Sequence, residues 1–401
     1  MYSFQLTPDQ LEFRDTVRDF VEGEIKPKAL HPERLQPFEK PLLTDLLDKA
    51  AQMGLRTLAL SEDAGGTGAD GLTCCIVMEE LGAGDVDLAS VLGQTSALAH
   101  VLFDQLMTAE QKKRYLSKFV EDDRFHLAFA GRGPGAEAGW SYHRPMAADG
   151  AAEPTAAKQG NDWVINGTLQ FVPNAQVAKL FAVQARTGKG LTTFLVPRDA
   201  AGLTVREPLK AVGESIRWHH GAGAGVTFKD CKVSADSVLG KENASPFADE
   251  AVAARSVPLV AAINLGLGRA AYDAAVDYSK IRRQGGRNII EHQAIGTKLA
   301  DCTIKLELAR GAVWKAAWLL DHPEAVSDRS NTELPYHVIA RVYTAEAMND
   351  VALLAAECFG AMGVMRDMPL QKYVHDAMVF LHTDDADGAA KLAVAEAVAG
   401  Y

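Results

Sequence analysis

The sequence contains no run of eighteen consecutive apolar residues, so we expect no membrane-spanning segment. Its five cysteines (Cys74, Cys75, Cys231, Cys302 and Cys358) are odd in number and show no CxxC spacing. That excludes a disulfide framework and leaves reduced thiols, most of them core residues. No GxGxxG follows a strand-like run and no βαβ alternation appears, which excludes a doubly wound α/β fold. Internal repeats and low-complexity segments are missing as well. The opening residues MYSFQLTPDQLEF have neither a basic n-region nor an apolar h-region, so a secretion signal is not expected and a cytoplasmic location is. Excess positive charge is absent: the net charge of −11 argues against nucleic acid or an anionic membrane as partner.

What the chain does have is size. Its 401 residues, 48% apolar and 23% charged, exceed the usual limit for one core and predict two or three packed units. Thr7-Pro8-Asp9-Gln10 reads as a capping box with proline at the first helical position, and Leu11, Val17, Phe20 and Ile25 follow at helical spacing. SEDAGGTGADG (61–71) is a glycine-rich break before a second apolar helix ending near Glu79-Glu80-Leu81-Gly82. From about 125 to 240 the runs DWVING, LFAVQAR, TTFLVPR, LTVREP and GVTFKDCKV alternate with turn residues, as antiparallel strands do. Trp163–Gly167 looks like a strand entering a turn. Beyond about 250 long helical stripes return. One is Leu259, Ile263, Leu267, Ala270, Ala274 and Tyr278; another runs from Ile295 to Leu320. Further helices are predicted from about Tyr336 to Phe359 and from near Pro369. Their Ala-rich seams suit a bundle and a subunit interface.

The reading is an α+β, mainly helical chain. An N-terminal helical domain spans 1–124, a middle antiparallel β-barrel or sandwich 125–242, and a C-terminal four-helix bundle 243–401.

One segment carries concentrated positive charge. In YSKIRRQGGRNIIEHQ (278–293), Lys280, Arg282, Arg283 and Arg287 surround Gly285 and Gly286 at a helix end. Cations beside flexible glycines can grip a pyrophosphate. Equally, basic residues sit favourably in any last helical turn, where the helix dipole welcomes them.

Several landmarks in fixed order now identify a resemblance: SEDAGGTGADG, MEELG, WVING, KDCKV–DSVLG, YSKIRRQGGRNIIEHQ and FGAMGVMRDMPLQKYVHDA. Along essentially its whole length the chain resembles the acyl-CoA dehydrogenase flavoprotein superfamily. The resemblance implies FAD between the β domain and the bundle, with its pyrophosphate and adenine half clamped by a neighbouring subunit of a homotetramer or dimer. Arg282 and Gln284 fall on the family's R-x-Q pair, and Gly360 and Gly363 on its G-x-x-G turn. Gln293 closes the matching IIEHQ motif and joins the implied cofactor-binding set. Phe171 and Asn174 lie at the flavin-facing strand end.

The implied catalytic group is a carboxylate that takes a substrate proton while hydride leaves the neighbouring carbon. Counting from His375-Asp376-Ala377, which aligns with the family's R-D-A stretch, lands on Asp384 in HTDDADG, with Asp385 a close rival. An aspartate here is one methylene, roughly 1.5 Å, shorter than the usual glutamate. Over an apolar flavin face its pKa should rise into the range of a general base. HTDDADG also reads as a solvated acidic loop. A calcium loop fails on its incomplete Asp spacing and on Val394 where a closing Glu belongs, and His382 has no partner ligand at a recognisable spacing; no metal is expected.

Arg255 falls where the family directs an arginine toward CoA, which favours a CoA thioester as substrate. Ser256 and Lys391 fall where nitroalkane oxidases of the same superfamily carry an active-site Ser and Arg. Pro173 replaces a hydroxyl residue, Glu357 places an anion where a Gln faces the adenine diphosphate, and Gly285 replaces a Phe. Three readings stand: an FAD-dependent dehydrogenase forming an α,β double bond in an acyl-CoA, a nitroalkane-oxidase-like flavin oxidase, and a non-catalytic relative. An electron-transfer flavoprotein is the expected electron acceptor for the first, oxygen for the second.

Overall fold

The computed structural model describes residues 5–31, 42–131, 154–188, 190–206, 219–248, 252, 254–365, 367–382 and 388–400. Helices come first: α1 (Pro8–Phe20), α2 (Thr44–Gln52), α3 (Gly71–Gly84), α4 (Val86–Ala99) and α5 (Ala109–Glu121). The capping box forms as read. Thr7 Oγ1 accepts from the Gln10 amide at 3.2 Å, and Gln10 Oε1 accepts from the Thr7 amide at 3.1 Å. Val17, Phe20 and Ile25 are buried, but Leu11 is 38% exposed. Six residues at about 100° each leave Leu11 some 120° off the face of Val17. The second apolar helix runs past Gly82 to Gly84, where Asp85 stops it and caps α4. The stretch Val86–Leu106 and the helix Tyr336–Val364 are long and apolar enough to cross a membrane; their most apolar windows are 83% and 44% buried inside the protein. Isolated polar residues such as Ser90 and Thr95 interrupt any apolar run without lowering the average hydropathy much, and in the first stretch both pack inside the fold.

The middle of the chain forms an eight-stranded sheet, ordered β6-β7-β3-β2-β4-β5-β8, with β1 also pairing β4. The strands are β1 (His126–Ala130), β2 (Thr155–Gln159), β3 (Asp162–Val172), β4 (Ala178–Thr187), β5 (Gly190–Pro197), β6 (Leu203–Val205), β7 (Ala224–Ser234) and β8 (Val238–Leu239). Antiparallel pairing was expected throughout, but β1 and β2 both run parallel to β4. A tight hairpin could not join strands that run the same way, and β1 and β2 are well separated in the sequence. Nor does the chain turn at Gly167. The strand continues to Val172 through a register shift between Ile165 and Gly167, where Gly167 adopts φ +140°. A Cβ there would lie 2.7 Å from Pro154 Cα, so the bulge is reserved for glycine.

Helices then return as α6 (Val257–Ile281), α7 (Gln293–Asp321), α8 (Tyr336–Phe359), α9 (Leu370–His382) and α10 (Gly388–Ala399). The first strand begins at His126, the last ends at Leu239 and α6 begins at Val257. Leu259, Ile263, Leu267 and Ala270 are buried, as are Leu299, Cys302, Leu306, Ala309, Val313 and Ala316.

One hydrophobic core joins α1–α4 to the bundle rather than stopping at a domain boundary. Glycines let α3 and α6 touch backbone to backbone: a Cβ on Gly82 would meet Ile263 O at 2.2 Å, and one on Gly266 would meet Glu79 O at 2.0 Å. Buried charge closes the same interface. Arg269 pairs with Glu79 at 3.2 Å and with Glu80 at 2.7 Å; Arg310 reaches Glu79 at 2.8 Å and Arg18 reaches Glu80 at 2.6 Å.

Candidate active site

Helix α4 is the hub of the candidate site. Asp85 caps it, its Oδ1 accepting from the amides of Asp87 and Leu88 at 3.0 Å each. Two residues on, Asp87 Oδ1 accepts from the Gly221 amide at 2.9 Å, which pins the start of the segment leading into β7. Gly221 takes φ +77°, and a Cβ there would come within 3.3 Å of the Ser90 Cβ.

Further along α4 the end of β3 docks. Asn174 sits in the left-handed region at φ 59° and is 1% exposed. Its Nδ2 donates to Val91 O at 3.0 Å, Thr95 Oγ1 at 3.2 Å and Leu127 O at 3.3 Å. Thr95 Oγ1 also pairs with His126 Nδ1 at 3.2 Å. Burial, with the Arg56 guanidinium nearby, pushes His126 down to about 3, so this histidine is neutral at any working pH. Asn174 Oδ1 is buried and has no hydrogen-bond partner among the described residues. Such an acceptor is costly unless something donates to it.

Phe171, half-buried on the same strand end, lies against the His219 ring, with centroids 4.5 Å apart. It fits because residue 223 is glycine: a Cβ there would stand 2.1 Å from Phe171 Cε2. His220 faces the other way, toward α9. Its ring packs on Phe380 with centroids 4.2 Å apart and planes tilted by 39°, and its Nε2 donates to Asp376 O at 3.0 Å. Asp376 in turn accepts from Lys372 Nζ at 2.7 Å. The lysine is fully buried; Asp376, Asp85 and Asp87 outweigh the desolvation of its ammonium and raise its pKa. These groups place β3, α4 and α9 in one junction. Helix α9 ends at His382, and Asp384 and Asp385 lie outside the described residues.

The basic segment forms a tight hairpin beyond α6. Arg283-Gln284 pairs with Arg287-Asn288, and Gly285 and Gly286 turn at φ +62° and +86°. His292 Nε2 holds Gln284 O at 2.9 Å, and a Cβ on Gly285 would come within 3.3 Å of that ring, so the missing Phe has given its space to His292. The side chains of Arg282, Gln284 and Gln293 are exposed, and Arg282 makes no ion pair among the described residues. The Gly360–Gly363 turn closes α8. Gly360 takes φ +58° with open space where a Cβ would be, whereas a Cβ on Gly363 would collide with Ala356 O at 2.5 Å. Gly360 is thus the glycine open to a ligand, and Gly363 serves packing. Glu357 is not a stray anion, because Lys298 pairs with it across α7 and α8.

Arg255 and Ser256 occupy a short 3-10 turn before α6. Arg255 forms an ion pair with Asp321, whose Oδ2 also accepts from the Gly71 amide at 2.7 Å. These groups and Ala97, His100 and Leu259 line a cavity of about 280 Å3. Ala97 lies two residues past Thr95, roughly 200° around α4, so the cavity opens on a different face from the Asn174 junction. The structure therefore brings Phe171 and Asn174 together and sets Arg255 apart from them. Lys391 pairs with Glu346 of α8.

Sequence reasoning missed Asp87, Thr95, His126, His219, His220 and Lys372. The doublet in WHHG was the one local signal available; the others lie within ordinary helices and strands.

Comparison with known proteins gives the chain's relatives. Three family models match in order: the acyl-CoA dehydrogenase N-terminal domain over residues 7–123, the middle domain over 147–230 and the C-terminal domain over 254–398. The rat short-chain specific acyl-CoA dehydrogenase, a mitochondrial protein, is 28% identical over 387 residues, covering 94% of this chain and 87% of its own. The human protein of that name is 29% identical over 374 residues, 91% and 84% of the two chains. Among solved structures, butyryl-CoA dehydrogenase from Megasphaera elsdenii superposes with TM-score 0.80 at 25% identity, covering 99% of this chain and 100% of that one.

Proposed function

The chain belongs to the acyl-CoA dehydrogenase family, and from that premise we propose that it desaturates an acyl-CoA thioester between its α and β carbons. It is an FAD-dependent oxidoreductase acting on CH–CH groups. Bound FAD supplies the two-electron acceptor for the hydride leaving the β carbon. Asp384 is the residue that would take the α proton, and the hydride leaving the β carbon would balance the new double bond.

The observation that carries this reading is the junction at Asn174. A buried amide oxygen with no hydrogen-bond partner among the described residues stands three residues past Phe171, against α4 and β1. An isoalloxazine edge, which carries an N–H donor, matches that acceptor, and Phe171 offers an aromatic face in place of the usual Trp. Arg282, Gln284, Gln293 and Gly360 would hold the pyrophosphate and adenine half: a guanidinium, amides and an unhindered glycine suit two phosphates. Gly363 supports that turn by packing. These anchors act across an interface between copies of this chain, as a dimer or tetramer.

A second reading, an oxidase acting on nitroalkanes with oxygen as acceptor, draws support from Arg255. That guanidinium is committed to Asp321 rather than free for a CoA phosphate. Arg255 remains a proposed substrate contact through the wall of the neighbouring cavity, and Ser256, its neighbour in the chain, is proposed with it.

Anaerobic titration of the purified protein separates the two. Bleaching of the flavin band by acyl-CoA thioesters, with electrons passing to an electron-transfer flavoprotein, supports the dehydrogenase. Bleaching by nitroalkanes alone overturns it. A colourless protein that takes up no added FAD would overturn both in favour of a non-catalytic relative.

A further inference from the structure

We propose that His219 and His220 are positioning residues that tie the strand end bearing Phe171 to α9, the helix that precedes Asp384 in the sequence. The inference rests on the reading of Phe171 and Asp384 given above and adds to it two side chains that touch neither reactant.

Consecutive residues in an extended or irregular segment can point to opposite sides, and this doublet does. His219 packs on Phe171, with centroids 4.5 Å apart. His220 packs on Phe380 at 4.2 Å and donates from Nε2 to Asp376 O at 3.0 Å. A carbonyl oxygen can only accept, so that nitrogen carries a proton whatever the state of the ring. The side chain of His220 is 7% exposed, and its Nδ1 stands 3.7 Å from Asp87 Oδ1, which itself holds the Gly221 amide. The backbone on the far side of the doublet is therefore fixed to α4. Around the same spot lie Asp85, Lys372, His375 and Asp376, so the clamp is set among matched charges rather than in bulk water.

The spacing along α9 gives the contact its consequence. Asp376 and Phe380 lie one turn apart on the same face, in the last two turns of a helix that ends at His382. Asp384 follows two residues later. A carboxylate one methylene shorter than the family's usual group has less freedom to reach its proton, so the helix end that delivers it must be held more closely. Orientation of this kind governs rate steeply, because small displacements of a general base cost large factors. The doublet spans the two parts whose separation matters, the strand end with Phe171 and the helix that ends two residues before Asp384.

The test uses the full-length protein with His220→Ala, His220→Phe, which keeps the ring contact, and His220→Gln, which keeps a donor. Hydrogen exchange of the amides in residues 376–382 is followed first without FAD. His220→Ala should speed that exchange at least tenfold, with the Phe and Gln variants in between. With FAD bound and butyryl-CoA as probe, His220→Ala should lower kcat ten- to a hundredfold with KM within twofold, and raise the isotope effect from α-deuterated substrate. His219→Ala should shift the flavin absorbance band while leaving exchange in 376–382 unchanged.

Wild-type exchange and wild-type kcat in His220→Ala would overturn the proposal. If that variant does not fold, the same two measurements on His220→Gln and His220→Phe decide it. Should the protein bind no FAD, the proposed function fails but the exchange arm still reports on the clamp.

Discussion

Tyr278 and Phe359 stack with their ring centroids 4.1 Å apart and their planes 11° from parallel. Tyr278 belongs to the last turn of α6 and Phe359 is the last residue of α8. The same helices touch where a Cβ on Gly268 would strike Met348 Sδ at 2.1 Å, and where Asn264 Nδ2 donates to Thr344 O at 3.4 Å. Contacts at 264–344, 268–348 and 278–359 rise together, so α6 and α8 run in the same direction and finish side by side. The Arg282 hairpin and the Gly360 turn leave the bundle at one end as a result. Tyr278→Ala should remove an aromatic pair worth about 1 kcal/mol beyond its buried area. It should also speed FAD release about fivefold, read by flavin fluorescence after dilution.

Arg282→Ala removes an exposed cation that makes no ion pair among the described residues, so the FAD-free protein should melt within about 1 °C of wild type. Affinity for FAD should fall by about 2 kcal/mol, near thirtyfold, as expected when one charge-assisted hydrogen bond is lost. Equilibrium dialysis of flavin, set beside a melting curve, checks both halves. Unchanged flavin affinity would remove Arg282 from the site.

Asp384→Asn should retain FAD and lose at least a thousandfold in kcat, because an amide cannot take the α proton. Asp385→Asn should stay within about threefold of wild type. Stopped-flow measurement of the flavin reduction step compares the two, and reversal of their ranking would move the base by one residue.

Glu80 links acid stability to the interface between the N-terminal helices and the bundle. Burial alone would raise its pKa, but the hydrogen bond from Arg18 and the charge of Arg269 outweigh that and lower it. A carboxylate held below its unfolded value stabilises the fold above the ordinary carboxylate range and loses that contribution as pH falls through the folded value. Stability should therefore drop below about pH 4.5. Glu80→Gln should cost about 2–3 kcal/mol at pH 7, less than for a wholly buried pair because the Arg18 side chain is 41% exposed. The loss should be smaller at pH 3 than at pH 7, as urea melts at the two pH values would show.

Features decided within a few residues were legible in the sequence. The Thr7–Gln10 capping box, the stripes of α6 and α7 and the glycines of the basic hairpin all announce themselves locally, through backbone geometry or helical period. The junction around Asn174 did not. Its partners Val91 and Thr95 lie about eighty residues away, and each looks like an ordinary core residue of an apolar helix. His126 reads as one more strand residue until Thr95 meets it. The parallel run of β1 beside β4 escaped notice for a related reason: strand texture reports burial but not direction. Arg255 shows the reverse difficulty, because an arginine's position in a motif does not say which carboxylate will claim it first.

The glycine-to-backbone contacts between α3 and α6 bear on how this molecule can be taken apart. Three matched segments along a sequence suggest modules that could be cloned or swapped one at a time. Yet with Gly82 seated on Ile263 and Gly266 on Glu79, α6 presents a notched side that only its own α3 fills. A fragment beginning near residue 243 would leave that notch and the arginines beside it bare to water, so it should aggregate or remain molten. Chimeras with relatives should succeed only when the first and last thirds are exchanged as a set.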